Sequence, residues 1–323
     1  MPGKHPLLTL SATAAAATII WSTALPNAHA QSGDLLKLEE ARHYMVDLIN
    51  RDRATLSLKP VVLDETASHA GQQHTDEMAQ VGYLSHWSLD GKKPDQRYTE
   101  AGGTGYDMEN AHIGFEGDAY TEDQNGEMVK LKPAAVQVFR KDQLEHIEAE
   151  FFNEKAPMDG HRKNIIDPIH TGVGIGLSLA SEFGRGSRMA CCQEFVNIYG
   201  EFAAIPAELK LGETLTIKGI LQPDVEPFSI DLRWEDFPKP MTSAELRKTY
   251  SYGPPGDRVV TCFVQRPPFP IKLNRSAQGN EIELSLPTNP EWKPGEYSIF
   301  VWARLPDSPE PRVISLRTIA LRK

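Results

Sequence analysis

Four side chains of this 323-residue chain have the chemistry to form a site. His86 stands in "LSHWSLDG", Glu109 in "GYDMENAH", and Glu154 and His161 in "EFFNEKAPMDGHR". All four fall in loop-like text or at element ends, where reactive groups concentrate on a rigid scaffold. Two imidazoles and two carboxylates brought together can share protons or bind a divalent ion. The intervals between them match no metal-ligand spacing. The chain also lacks His-Glu-x-x-His, Gly-x-Ser-x-Gly and a phosphate-binding glycine loop. Taken singly, each histidine reads as a solvated or helix-terminal residue, so the elements that carry them decide the matter.

Leu38, Ala41, Tyr44, Met45, Leu48 and Ile49 recur at three- and four-residue intervals, which predicts an amphipathic helix over 36–54. Asp64 is placed to cap a second helix running to Val81, with Ala67, Ala70 and Met78 on one side. Residues 102–133 are polar and glycine-rich and read as loops with at most one hairpin. Pro133 suits the first turn of a third helix that carries Val136, Phe139, Leu144, Ile147 and Phe151. "TGVGIGLSLA" and "SRMACCQEFVNIYG" read as strands, so this half is a layered α/β or α+β domain. Near Ile205 the pattern changes to six β-rich runs, from "GETLTIKGIL" to "RVISLRTIALR", separated by proline- and glycine-bearing turns. That rhythm predicts an all-β sandwich.

Hydrophobic residues make up 40% of the chain and charged residues 24%, the composition of a globular protein large enough for two domains. The net charge of −10 argues against nucleic acid or an anionic membrane as a partner, since both require a basic face. Lys4, the apolar run from Leu7 to Leu25 and the small residues of Ala28-His29-Ala30 predict a signal peptide over 1–30, cleaved after Ala30. A secreted or periplasmic location follows, with no membrane span in the mature chain. The cysteine count is 3, which leaves at least one thiol unpaired among Cys191, Cys192 and Cys262. Adjacent Cys191 and Cys192 would point to opposite faces of a strand.

Together these segments resemble a known family. "LINRDRATLSLKPVVLD", "SHAGQQHTDEMA", "SHWSLDG", "MENAH", "GHRKNIIDPIHTGVGIG" and "CCQEFVNIYG" follow, from about Leu36 to Gly200, the order and spacing of a CAP domain of the short bacterial type. The superfamily takes its name from cysteine-rich secretory proteins, antigen 5 and pathogenesis-related 1 proteins. The resemblance implies an α+β fold, a three-layer α-β-α sandwich, for a domain over 31–204; the β-rich runs after it are read as an immunoglobulin-like β-sandwich over 205–323. The resemblance also implies a cleft lined by two histidines and two acids. By motif, His86 matches the first histidine, Glu109 the acid before asparagine and His161 the histidine of "GHR". "FFNE" places Phe151, Phe152 and Glu154 where the family often has tryptophan, tyrosine and the second acid, with Glu150 as a nearby competitor.

The implied function is binding of an extracellular ligand, a lipid or sterol or a cell-wall glycan, in a cleft able to hold zinc or another divalent metal through His86 and His161. The alternative is a metal-assisted hydrolase with Glu109 as general base. A third reading makes the β-sandwich an adhesion or docking module. For Arg162, Asn164, Gln193 and His170 a structural role is expected. Trp87 reads as either a stacking face or a core residue.

Overall fold

The computed structural model describes residues 21–22, 34–249, 251–308 and 310–323. The first helical pattern gives α1 (Leu38–Ala54), which buries Ala41, Met45, Leu48 and Ile49 along one face. The second gives α2 (Glu65–Val81). Asp64 Oδ1 accepts a 2.7 Å bond from the Ala67 N–H at its start. Gly82, at φ 84°, ends the helix in a left-handed conformation that side-chain-bearing residues rarely adopt. Three shorter helices follow in this half: α3 (Pro94–Glu100), α4 (Lys141–Phe152) and α5 (Gly160–Ile166).

The central sheet is mainly antiparallel. Its strands Tyr106–Glu116, Gly186–Asn197 and Gly172–Glu182 lie side by side in that order. The glycines of "TGVGIG" explain how α2 reaches it. A Cβ on Gly174 would fall 2.2 Å from the Ala67 carbonyl carbon, and one on Gly176 2.3 Å from that of Gly71. Only bare backbone lets the helix lie this low, and Gln72 then bonds the Leu177 carbonyl at 2.8 Å. Val173, Ile175, Leu177 and Cys191 join α1 and α4 in one apolar core. Ala190 and Cys192 join Met78 and Ala79 of α2 in another. The two neighbouring cysteines therefore point apart as strand geometry requires, and all three cysteines are buried and unpaired.

Two sequence expectations need correction. Pro133 opens no helix. Lys132–Pro133 pairs with the Gly172–Glu182 strand, Val138–Arg140 pairs with Leu35–Lys37, and α4 begins only at Lys141. A proline lacks the N–H that a sheet interior needs, and it fits such a short peripheral pairing. The 102–133 stretch is also more than loops, because Tyr106–Glu116 is an eleven-residue strand of the central sheet. Its polar residues hid it: Asp107, Glu109, Asn110 and His112 are all buried. The expected signal peptide lies outside the described residues except for Trp21–Ser22, whose backbone runs parallel to Ile113–Gly114.

All six β-rich runs of the C-terminal half form strands. They divide between a five-stranded sheet, containing Glu226–Glu235, Asp257–Phe263, Gly295–Arg304 and Arg312–Arg322, and a four-stranded sheet, containing Thr214–Leu221 and Gly279–Pro287. Leu215, Ile217, Ile230, Leu232, Leu284 and Val301 share one core. Gly200–Phe202 pairs with Thr214–Leu221 in the four-stranded sheet. One short helix, α6 (Ser243–Leu246), sits in the connection between Glu226–Glu235 and Asp257–Phe263.

Candidate functional site

His86 lies in the loop that follows α2. Its Nδ1 is 2.7 Å from Glu109 Oε1, across from the Tyr106–Glu116 strand. The other oxygen of Glu109 accepts a 2.6 Å bond from Arg97 of α3. Arg97 also donates to the His86 carbonyl at 2.9 Å and to Ser88 Oγ at 3.1 Å, so one guanidinium fixes both the loop and the acid. Burial alone would raise the Glu109 pKa, but Arg97, His74 and His86 hold its carboxyl well below the usual carboxylate range.

His161 repeats the arrangement on the other side. Its Nδ1 is 2.6 Å from Glu154 Oε1, and Glu154 Oε2 accepts from the backbone N–H of His161 at 2.9 Å and of Arg162 at 3.3 Å. Glu154 thus holds the ring and the first turn of α5 together. The Phe151 ring packs against the imidazole with centroids 4.5 Å apart. Burial lowers the pKa of His161, Glu154 opposes that shift, and His86 adds to it. Of the two acids left open by the sequence, Glu154 meets His161. Glu150 turns instead to His146 at 3.2 Å and His112 at 3.5 Å.

A carboxylate on Nδ1 fixes the proton there and leaves the Nε2 lone pair free. In both His86 and His161 the Nε2 atom is buried and has no hydrogen-bond partner among the described residues. Asn110 ties the two halves together. It donates to the His161 carbonyl at 3.2 Å and to Gln193 Oε1 at 2.9 Å, and it accepts from Asn164 at 2.8 Å. Gln193 then donates to Glu148 at 2.5 Å.

The family model for the cysteine-rich secretory protein family, CAP, matches residues 46–195. Residues 46–195 are a CAP domain. Among solved structures, the chain is similar to an extracellular protein containing an SCP domain from Bacillus anthracis, at 17% identity and a TM-score of 0.33. That likeness covers 49% of this chain and only 41% of the other. No curated protein matches the chain.

Within the CAP domain one further group of possible ligands stands close together: His74, Glu109 and Cys192. Its donors are already committed. His74 Nε2 bonds the Ser85 carbonyl at 2.8 Å, Glu109 is neutralised by Arg97, and burial drives the Cys192 thiol pKa well up. An added cation would also face the Arg97 charge. Both Glu109 oxygens being taken, Glu109 supports His86 rather than joining His161 as a ligand. It is likewise a poor general base, because Arg97 and the neighbouring histidines hold its carboxyl well below the usual carboxylate range and so weaken its affinity for a proton.

Sequence reasoning missed several residues around His86 and Glu109. Arg97 gave no local signal, since its partner Glu109 lies on another element. Asp107 and Glu194 are buried carboxyls whose pKa values are pushed well up, by burial first and by Glu109 next. Asp107 could have been found, because it shares a strand face with Glu109 at a period of two. Glu194 sits directly opposite Glu109 in the strand register. Tyr252 comes from the second unit, with its ring 5.1 Å from His86 and 5.8 Å from Trp87. Trp87 lines, with Lys93, Phe237 and Met241, a groove of about 620 Å³ that neither His86 nor His161 reaches. No helix among the described residues is long and apolar enough to cross a membrane.

Proposed function

We propose that the chain is an exported protein whose CAP domain, built as a three-layer α-β-α sandwich, binds a divalent metal such as zinc on the Nε2 atoms of His86 and His161. The second unit would be an immunoglobulin-like sandwich serving as its companion domain. The reading is carried by the two buried Nε2 atoms, each left without a partner while its Nδ1 is held by a carboxylate. Neutral imidazoles oriented from behind by acids suit zinc and similar borderline ions. Such an ion would supply Lewis acidity toward an anionic or carbonyl group of a ligand.

Glu109 and Glu154 orient the rings, and Arg97 keeps Glu109 ionised for that task. Binding is favoured over hydrolysis because Arg97 and His86 hold the Glu109 carboxyl well below the usual range, which makes it a weak base. An extracellular lipid or cell-wall glycan, the larger ligand class the family suggests, would have to pass Tyr252 to reach His86.

Zinc titration calorimetry of the wild type and His161→Ala tests the reading. The wild type should bind, and the variant should lose binding while keeping its fold. Protons compete for the ring nitrogens, so binding should weaken with acid. Because burial lowers the His161 pKa, the weakening should set in below the value of about 6.5 of a free imidazole. Equal binding by both proteins would remove His161 from the site.

A further inference from the structure

Glu226–Glu235 and Asp257–Phe263 are antiparallel neighbours in one sheet, a pairing that a turn of about two to five residues can close. Here the connection runs through residues 236–256. Connections of this length inside a compact unit are uncommon and are usually either functional loops or linkers. This one leaves its own sheet and lies on the CAP domain.

We infer that the long connection of the second unit is the lid over His86: residues 236–249 dock as a strap that brings Tyr252 over its ring, and the histidine is uncovered when the strap lifts. The inference shares its location with the proposed metal site but does not depend on a metal.

The docking is built from named contacts at both ends. The Met241 N–H donates to the Leu89 carbonyl at 2.7 Å, and Ser85 Oγ donates to the Thr249 carbonyl at 3.3 Å. These flank the loop that carries His86 and Trp87. Gly91, at φ 82°, gives the strap its room, since a Cβ there would fall 2.2 Å from the Lys239 carbonyl oxygen. Further out, Ser243 Oγ and the Ala244 N–H donate to Glu127, and Arg247 pairs with Glu122 and donates to the Gly126 carbonyl. Leu246 is the apolar plug, fully buried in the CAP core beside Met78 and Leu84. Tyr252 then meets His86 at 66° and Trp87 at 89°, edge contacts that aromatic rings favour. His86 is 0% exposed.

The strap is suited to lifting. Pro238 and Pro240 keep it out of regular pairing, and apart from Leu246 the contacts named above are polar or edge contacts between rings. Such segments open locally at lower cost than core strands.

Histidine modification by diethyl pyrocarbonate, read residue by residue by mass spectrometry on the full chain in excess chelator, tests the lid. Exposed His43 and His69 report full reactivity, and buried His112 reports unfolding. In the wild type, His86 should be spared along with His112. Tyr252→Ala should raise the His86 rate by about ten-fold with His112 still spared. Tyr252→Phe should stay like the wild type, because the ring and not the hydroxyl makes the contact. Arg247→Ala, which cuts the remote anchor, should also raise His86 labelling. If His112 reacts in Tyr252→Ala, that variant has unfolded and Arg247→Ala decides. Wild-type His86 as reactive as His69, or unchanged His86 labelling in the folded variants, overturns the lid. Since no metal is present, either result leaves the zinc reading to its own titration.

Discussion

Glu109 is 1% exposed, and an ionised carboxylate so sealed from water persists only with a partner. Arg97, at 2.6 Å, is that partner. Replacing it with alanine strands a buried charge, a change that costs about 3–5 kcal/mol in comparable pairs. Urea denaturation of Arg97→Ala should show a loss of that order, and Arg97→Lys should recover part of it by restoring charge without the fork of donors. A variant as stable as the wild type would mean that Glu109 is protonated instead. His86, Glu109, Glu154 and His161 were legible because each stands in a recognisable short phrase. Arg97 and Tyr252 were not, because their roles come from partners that only the folded chain brings near.

The same contrast holds for the elements. α1 and α2 follow apolar spacing and the Asp64 cap, so the sequence marks them. Tyr106–Glu116 was hidden because its buried positions carry polar groups rather than an apolar pattern; Glu109 and Asn110 among them are bonded by side chains such as Arg97, Gln193 and Asn164. The helix expected from Pro133 failed for a related reason: buried Phe139 belongs to a short strand, not to a helical face. The glycines under α2 give a direct test. Gly176→Ala should cost about 1–3 kcal/mol or more in thermal or urea unfolding, since the added methyl meets helix backbone. Gly102→Ala, with open space around its Cβ but φ 96°, should cost about 1 kcal/mol from conformation alone.

α4 carries a second test. Burial pushes the Glu148 carboxyl up to about 8, against a model-peptide value of 4.5. The folded state therefore keeps a proton that the unfolded state has lost. The stability this proton confers is present below about pH 4.5 and is lost as pH rises toward 8, at up to about 1.4 kcal/mol per pH unit. Glu148→Gln should lack that slope, so its stability relative to the wild type should grow between pH 5 and 8. Parallel pH curves would show that Glu148 titrates normally.

At the scale of the molecule, the second unit has its own core and should fold as residues 199–323, giving a β-type circular dichroism spectrum and a cooperative melt. A disordered fragment would show that the two cores are interdependent. The fragment should melt below the intact chain, because Leu246 and the strap lose the surface that covers them. The link between the units is the feature with the widest consequence. Gly186–Asn197 ends one sheet and Gly200–Phe202 begins the next, leaving only Ile198 and Tyr199 between them. Asn197 donates to the Val313 carbonyl at 3.1 Å and Arg312 meets Asp167 at 2.6 Å, bracketing that joint from both sides. The junction therefore works as a splint rather than a hinge. A pull on the C-terminal unit would run straight into the strand bearing Gln193 and Glu194, and swinging that unit aside would bend the floor of the cleft. On the lid inference, access to His86 is left to the strap alone, which can lift while the two units keep their mutual arrangement.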